Sequence, residues 1–272
     1  MLVWSKRARF AAWSIAGLLI GIVYAAPLAI IAMASFAGEW NGVLPSKPTL
    51  AHYAGAFAGE SGSQLEVSLL TALIASALAL FVGTWSALAL RRQGGALESG
   101  GADTLRRVID LSLFIPSAVP SVTIGLGLLV AFSRPPLLLN GTVAIVFIAH
   151  FILVSAFTYS NVSAGLARLS PDFEQVAESL GARPLFRLVH VTLPLILPQL
   201  IAAFSLSFAL SMGELGATVM IYPPGWVTSP VGIFALTDRG EVFDGAALTM
   251  LLIAATLVVL IGLSRISTRA AR

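Results

Sequence analysis

The sequence predicts an all-α membrane protein with six transmembrane helices, and three observations carry that expectation. Apolar residue types make up 57% of the 272-residue chain, and charged residues only 11%. Soluble domains sit near ~45–50% apolar and ~25% charged, because a folded surface has to be covered with polar groups. Six stretches reach the roughly 20 mostly apolar residues needed to cross a bilayer, over 12–34, 67–90, 108–132, 142–161, 195–220 and 246–263. The basic residues alternate with these stretches. Of 16 Lys and Arg, 13 lie in the two termini and the loops after the second and fourth spans, whereas the intervening loops hold one each: Lys47, Arg134 and Arg239. The positive-inside rule then places both termini and the two Arg-rich loops in the cytoplasm.

Taken in order, the first span follows Lys6, Arg7 and Arg9 and is longer than the ~7–15 residues of a secretory h-region, so it is expected to be retained. Residues 38–66 form an outer loop. The glycine-rich run 94–101 reads as a flexible linker. Pro116 and Pro120 predict kinks in the third span. Tyr222 and Trp226 suit the membrane–water interface, Ser229 is expected to be reachable from outside, and 231–236 reads as a lid or short surface helix. One transmembrane domain is expected over residues 1–272.

Several chemistries are excluded. With no cysteine there is no disulfide or thiolate site. The three histidines are too far apart for a local metal motif. No phosphate-binding P-loop, nucleophile constellation or pair of intramembrane carboxylates is present, so the chain is not expected to be an enzyme or to bind a metal or nucleic acid.

The loop 165–194, GLARLSPDFEQVAESLGARPLFRLVHVTLP, differs from the others. Ser170 is a good N-cap and Pro171 fits the first helical position. Asp172 and Glu174 complement the positive helix end, and Gly181 fits a left-handed helix terminator. A second helix is expected from Pro184, with Leu185, Leu188 and Val189 on one side and Arg187 and His190 open to solvent. Phe173 and Phe186 are expected on the surface. Exposed apolar groups on an ordered loop suggest a docking surface.

This loop resembles the EAA signature of binding-protein-dependent ABC importer permeases: Glu-Ala-Ala, three residues, Gly, nine residues, then Ile-x-Leu-Pro. The matching positions are Gln175, Val176 and Ala177, then Gly181, then Val191, Thr192, Leu193 and Pro194. Gln175 stands where the family has Glu, with Glu174 beside it, and Val191 replaces Ile. The resemblance implies a type I ABC importer permease fold and a coupling helix seated on a cytoplasmic ATPase. The residues it assigns to ATPase coupling are Glu174, Gln175, Ala177, Gly181, Arg183, Phe186, Leu193 and Pro194. It further implies an ATPase pair that binds ATP and Mg, a second permease, identical or homologous, and a periplasmic substrate-binding protein, all at the bacterial inner membrane. Residues 213–218 (GELGAT), 222–226 (YPPGW) and 229–240 look most like the 2-aminoethylphosphonate permeases. Within the same subgroup, ferric iron, thiamine, polyamine, sulfate and molybdate are alternative solutes. An autonomous secondary transporter is the other class of reading.

In the fifth span, Ser207, Ser211, Glu214 and Thr218 follow i, i+4, i+7, i+11 spacing and would share one face of a continuous helix. Polar groups in a membrane helix face the bundle or water. Two readings stand: a translocation path or gate, and internal bracing. Ser117, Ser121 and Gly125 in the third span read as close helix packing or as path lining. His150 is expected to be a hydrogen-bonded core residue.

Overall fold

The computed structural model describes residues 5–96 and 100–270. In chain order the helices are α1 (Lys6–Ile20) and α2 (Ala26–Ser35), joined by a π-helical segment Gly21–Ala25. The short strands β1 (Ala37–Glu39) and β2 (Ser46–Pro48) follow, then α3 (Ala51–Ala58), α4 (Glu60–Ala96), α5 (Gly100–Ala118), α6 (Ser121–Ala131) and α7 (Val143–Arg168). The 165–194 loop holds α8 (Asp172–Ser179), α9 (Pro184–Arg187), a π turn Leu188–Thr192 and α10 (Leu193–Leu195). Beyond it come α11 (Leu197–Met212), α12 (Thr218–Ile221), α13 (Ser229–Asp238) and α14 (Val242–Ala270).

Four uninterrupted apolar segments are long enough to cross a membrane, Lys6–Ser35, Glu60–Arg91, Val143–Arg168 and Val242–Ile266. Two bent pairs, Arg107–Ala118 with Ser121–Ala131 and Pro184–Leu195 with Leu197–Met212, bring the number to six where each pair counts as one span. The expected kink of the third span is a 108° bend between α5 and α6. Pro120 cannot donate to the helix before it, and its ring disfavours helical backbone at the preceding residue. The fifth span departs further from expectation. A 66° bend separates Pro184–Leu195 from α11, and α11 stops at Met212 instead of running to 220. Hydropathy averages pass over these breaks, but breakers mark both: Pro194 and Pro198 flank the bend, and Gly213 and Gly216 bracket Glu214 where α11 stops.

At the two ends of the 94–101 run helix replaces the expected linker: α4 continues to Ala96 and α5 starts at Gly100. Residues 97–99, including Ser99, lie outside the described residues, as do 1–4 and 271–272.

The chain forms two compact units. The first comprises residues 1–62 and 232–253. Here β1 and β2 pair antiparallel, with Ala37 opposite Pro48 and Glu39 opposite Ser46. Lys47 and Glu39 form an ion pair across that ribbon. His52 on α3 ties the unit together: its Nδ1 lies 2.8 Å from Asp244 Oδ1 on α14 and its Nε2 3.1 Å from the Ala37 carbonyl.

The second unit, residues 63–231 and 254–272, is built around α7. This helix buries residues at nearly every turn from Ile145 to Leu166 and leaves Phe157 and Ala164 exposed. One apolar cluster joins Ala87 and Leu90 of α4, Tyr159, Val162 and Leu166 of α7, and Ala203 of α11. A second joins Ile145, Val146 and Ala149 to Ala217 and Ile221. Close approach needs small residues: a Cβ at Gly83 would lie 3.1 Å from the Tyr159 backbone nitrogen, and one at Gly165 2.8 Å from Gln199 Cγ.

Candidate functional site

Two regions carry the sequence-predicted residues. The first is the 165–194 loop. Ser170 Oγ accepts from the Asp172 N–H at 3.3 Å, and the Pro171 carbonyl accepts from the N–H groups of Glu174 and Gln175, so α8 starts where the cap residues place it. It ends in a Schellman motif. The Ala182 N–H reaches the Ala177 carbonyl at 3.0 Å, the Gly181 N–H reaches the Glu178 carbonyl at 2.8 Å, and Gly181 sits at φ +82°. That conformation suits glycine because it has no Cβ to clash.

The faces of α8 are sharply divided. Phe173, Val176 and Leu180 are exposed, Leu180 to 84%. Leu185, Phe186 and Val189 continue this apolar surface, with Phe186 stacked on His190 at 4.1 Å between ring centroids. Gln175 and Arg183 are exposed, and Ala177 is half-buried. Arg187 is not open to solvent as expected, because it pairs with Glu178 at 2.6 Å. Glu174 turns toward its own chain: its Oε1 accepts from Arg91 Nη1 at 2.9 Å and from Thr192 Oγ1 at 2.7 Å. Leu193 and Pro194 lie in α10, at the foot of the fifth span.

The second region lies where α7 meets the broken third and fifth spans. Ser207 Oγ is 2.7 Å from Thr158 Oγ1, whose own proton goes to the Val154 carbonyl. His150 is buried, with Nδ1 2.7 Å from Ser211 Oγ and Nε2 2.9 Å from Thr218 Oγ1. As a neutral imidazole it donates from one ring nitrogen and accepts at the other, so both hydroxyls can be satisfied. Glu214 lies in the break after α11, and its Oε1 accepts the Ala217 N–H at 2.7 Å. The continuous helical face expected for Ser207, Ser211, Glu214 and Thr218 therefore does not form. Ser207 and Thr218 are fully buried and engaged with α7, while Ser211 and Glu214 line a cavity of about 140 Å³. Ser117, Ser121, His150 and Phe157 complete much of its wall. The break is seated by two glycines. A Cβ at Gly125 would lie 2.7 Å from both Cα and O of Ala217, and one at Gly216 would overlap Ser121 Oγ.

Several participants escaped sequence reading. Arg91 registered only as a positive charge, and Thr192 only as a motif position. Asp110 of α5 accepts from the Tyr159 hydroxyl. These pairings join residues far apart in the chain, and no local pattern encodes them. Ser229 departs from expectation, whereas Trp226 is half-buried. The Trp226 indole donates to Thr71 Oγ1 at 3.0 Å and packs edge-on against Phe147. Ser229 is fully buried, with its backbone N–H on Ser68 Oγ at 2.7 Å, so it is not a position a reagent reaches.

Comparison with known proteins agrees with this architecture. A Salmonella paratyphi A protein provisionally named 2-aminoethylphosphonate transport system permease protein PhnV is 52% identical over 269 residues, covering 99% of this chain and 98% of the relative. The putrescine transport system permease protein PotI of Escherichia coli K12 is 28% identical over 201 residues, 72% of this chain and 69% of the relative. Among solved structures, a bacterial alginate ABC transporter in complex with an alginate pentasaccharide-bound periplasmic protein matches with a TM-score of 0.70. The identity is 18%, covering 97% of this chain and 96% of that chain. The MetNI methionine ABC transporter in an inward-facing conformation matches with a TM-score of 0.61 at 15% identity, covering 78% and 96%. At those identities the likeness is one of fold. Residues 99–270 match the family described as binding-protein-dependent transport system inner membrane component. The EAA-type loop, the six apolar spans and this match over more than half of the chain agree: the protein belongs to the binding-protein-dependent transport system inner membrane component family, the permeases of ABC importers.

Proposed function

We propose that this chain forms one half of the membrane pore of an ATP-driven importer for a small phosphonate, with 2-aminoethylphosphonate as the substrate. The observation that carries the substrate assignment is the 52% identity, over 99% of the chain, to relatives named for that solute. A second permease, identical or homologous, completes the pore, and a periplasmic binding protein delivers the solute. A pair of cytoplasmic ATPase subunits binds ATP and Mg.

The termini and the 165–194 loop face the cytoplasm, as the 13-to-3 partition of basic residues supports. The exposed Phe173, Val176, Leu180 and Phe186 then form the surface received by the ATPase, with Gln175 and Arg183 beside them. Closure of the ATPase pair moves the docked helices, and the spans respond as a rigid-body alternating-access change. Ser211 and Glu214 belong to the path or its gate, and Ser207 and Thr218 hold its wall against α7.

The test is uptake of labelled 2-aminoethylphosphonate into proteoliposomes holding the assembled complex and its binding protein. Uptake is expected to require ATP and to resist competition by thiamine, sulfate, molybdate, ferric iron and putrescine. Uptake without the ATPase would overturn the importer reading in favour of a secondary transporter. Orientation is checked on the naturally cysteine-free chain. Leu180→Cys should react only with reagents that enter the cytoplasm, whereas Val43→Cys, 94% exposed, should react from outside. Labelling of Leu180→Cys by an impermeant reagent in sealed cells would reverse the topology.

A further inference from the structure

We infer that Glu174 works as a clamp inside the permease, a positioning residue that ties α8 to the second and fifth spans, and that it is not a contact for the ATPase. The inference rests on the coupling role proposed above for this loop.

The geometry is specific. One carboxylate oxygen of Glu174 takes two donors from different elements, Arg91 Nη1 of α4 at 2.9 Å and Thr192 Oγ1 of the π turn below α10 at 2.7 Å. Thr192 is 3% exposed, and the Arg91 and Glu174 side chains are 25% and 34% exposed, so the cluster is shielded from water to a degree that ordinary surface pairs are not. Glu174 and Ala177 are three residues apart and share the inner side of α8, whereas Phe173, Gln175 and Val176 face outward. A docked partner therefore meets Gln175 and the apolar side chains, while the Glu174 carboxylate is occupied behind them.

Connectivity gives the clamp its purpose. The chain joins α8 covalently to α7 on one side and, through α9, to α10 and α11 on the other. It makes no such link to α4, since Arg91 lies 83 residues before Glu174. The charge-assisted bond to Arg91 supplies the missing tie, so that displacement of α8 carries the second span with it. The bond to Thr192 stiffens the joint at the foot of the fifth span. Without the clamp, α8 can follow the ATPase while α4 stays behind.

Two measurements on the assembled complex test this. In proteoliposomes, Glu174→Gln should lower 2-aminoethylphosphonate uptake per ATP hydrolysed by about tenfold, the scale of a lost hydrogen bond to a charged group, with ATPase pull-down unchanged. Combining Glu174→Arg with Arg91→Glu should restore most of that ratio. Spin labels at Ser179→Cys, exposed on α8 outside the proposed docking face, and at Leu78→Cys, half-exposed on α4, report the α8–α4 distance. This distance should stay constant on ATP binding in the parent protein and change in Glu174→Gln. An unchanged uptake-to-hydrolysis ratio, or loss of pull-down in Glu174→Gln, would overturn the clamp. So would identical distance responses in the two proteins. A parent complex that hydrolyses ATP but takes up no 2-aminoethylphosphonate overturns the substrate assignment instead, and the distance measurement still decides the clamp.

Discussion

Leu180 on the loop and Phe81 on α4 are both large, apolar and exposed, to 84% and 70%, yet exposure means opposite things in the two places. Around α4 polar groups point inward: Ser68 and Thr71 are buried and accept from the Ser229 N–H and the Trp226 indole, and Phe81 and Trp85 are outside. That is the expected arrangement in lipid, where hydrocarbon solvates an apolar side chain and every polar group needs an internal partner. On α8 one carboxylate is also tied inward, Glu174 to Arg91, but there the exposed apolar side chains face water. Water makes such a face costly, so an ordered loop that keeps one implies a partner that covers it. Burial alone does not distinguish a membrane surface from a docking surface. The solvent on the other side does.

The comparison breaks most visibly if an acid is placed on each surface. Phe81→Asp puts a charge near the middle of a span and should cost roughly 2.5–3.5 kcal/mol of insertion free energy. Membrane-extracted yield should collapse. Leu180→Asp should leave that yield intact while recovery of the ATPase by pull-down falls about tenfold or more, as for a central interface residue. Equal yields for the two variants would mean that α4 does not face lipid.

A smaller effect is expected at the seam beside the cavity. Gly125→Val drives new atoms into the backbone of Ala217, and overpacking of this kind costs roughly 1–3 kcal/mol. Gly127→Val, two residues along the same helix, meets nothing within 4 Å and serves as the control. Thermal unfolding in detergent should fall for the first variant only. Equal melting temperatures would show that α6 and the segment after α11 can separate freely.

The smallest effect belongs to His150. Two buried hydrogen bonds suggest a large loss by the soluble-protein scale of roughly 1–3 kcal/mol for each stranded group. Membrane hydrogen bonds average only ~0.6 kcal/mol, because the helices find other partners when separated. The membrane value applies here, so His150→Leu should lower the melting temperature slightly and leave ATPase pull-down unchanged. A drop as large as that of Gly125→Val would show that Ser211 and Thr218 find no substitute partner.

Legibility in the sequence followed the range of the interaction. The span count, the caps of α8 and the left-handed Gly181 were readable because hydropathy, charge alternation and capping are local. The same locality explains the failures. Hydropathy carries Glu214 in a continuous helix because Gly213, Leu215, Gly216 and Ala217 all tolerate lipid, although the two glycines weaken a helix there. The reason for the break lies across the bundle, where Gly216 rests on Ser121 and Ala217 on Gly125. The charge alternation places Ser229 in an outer loop, but Ser68, 161 residues earlier, holds its backbone inside. Motif position assigns Glu174 to ATPase coupling, and only the fold shows its bonds to Arg91 and Thr192.

The backbone contacts at Gly125 and Gly216 also divide the neighbourhood of the cavity by how freely it can diversify. At Gly125 any side chain collides with the Ala217 backbone, so no rotamer change relieves it and drift there is blocked, whereas at Gly216 the Ser121 and Val122 side chains would have to give way. Leu153, Phe157 and Leu210 line the same cavity with side chains alone, and Phe157 and Leu210 are partly exposed. These three positions can exchange size and polarity without disturbing the joint between the two broken spans. Related transporters that take up different solutes would therefore be expected to differ first at the cavity wall and last at its glycine hinge points, so that a new specificity can arise on an unchanged frame.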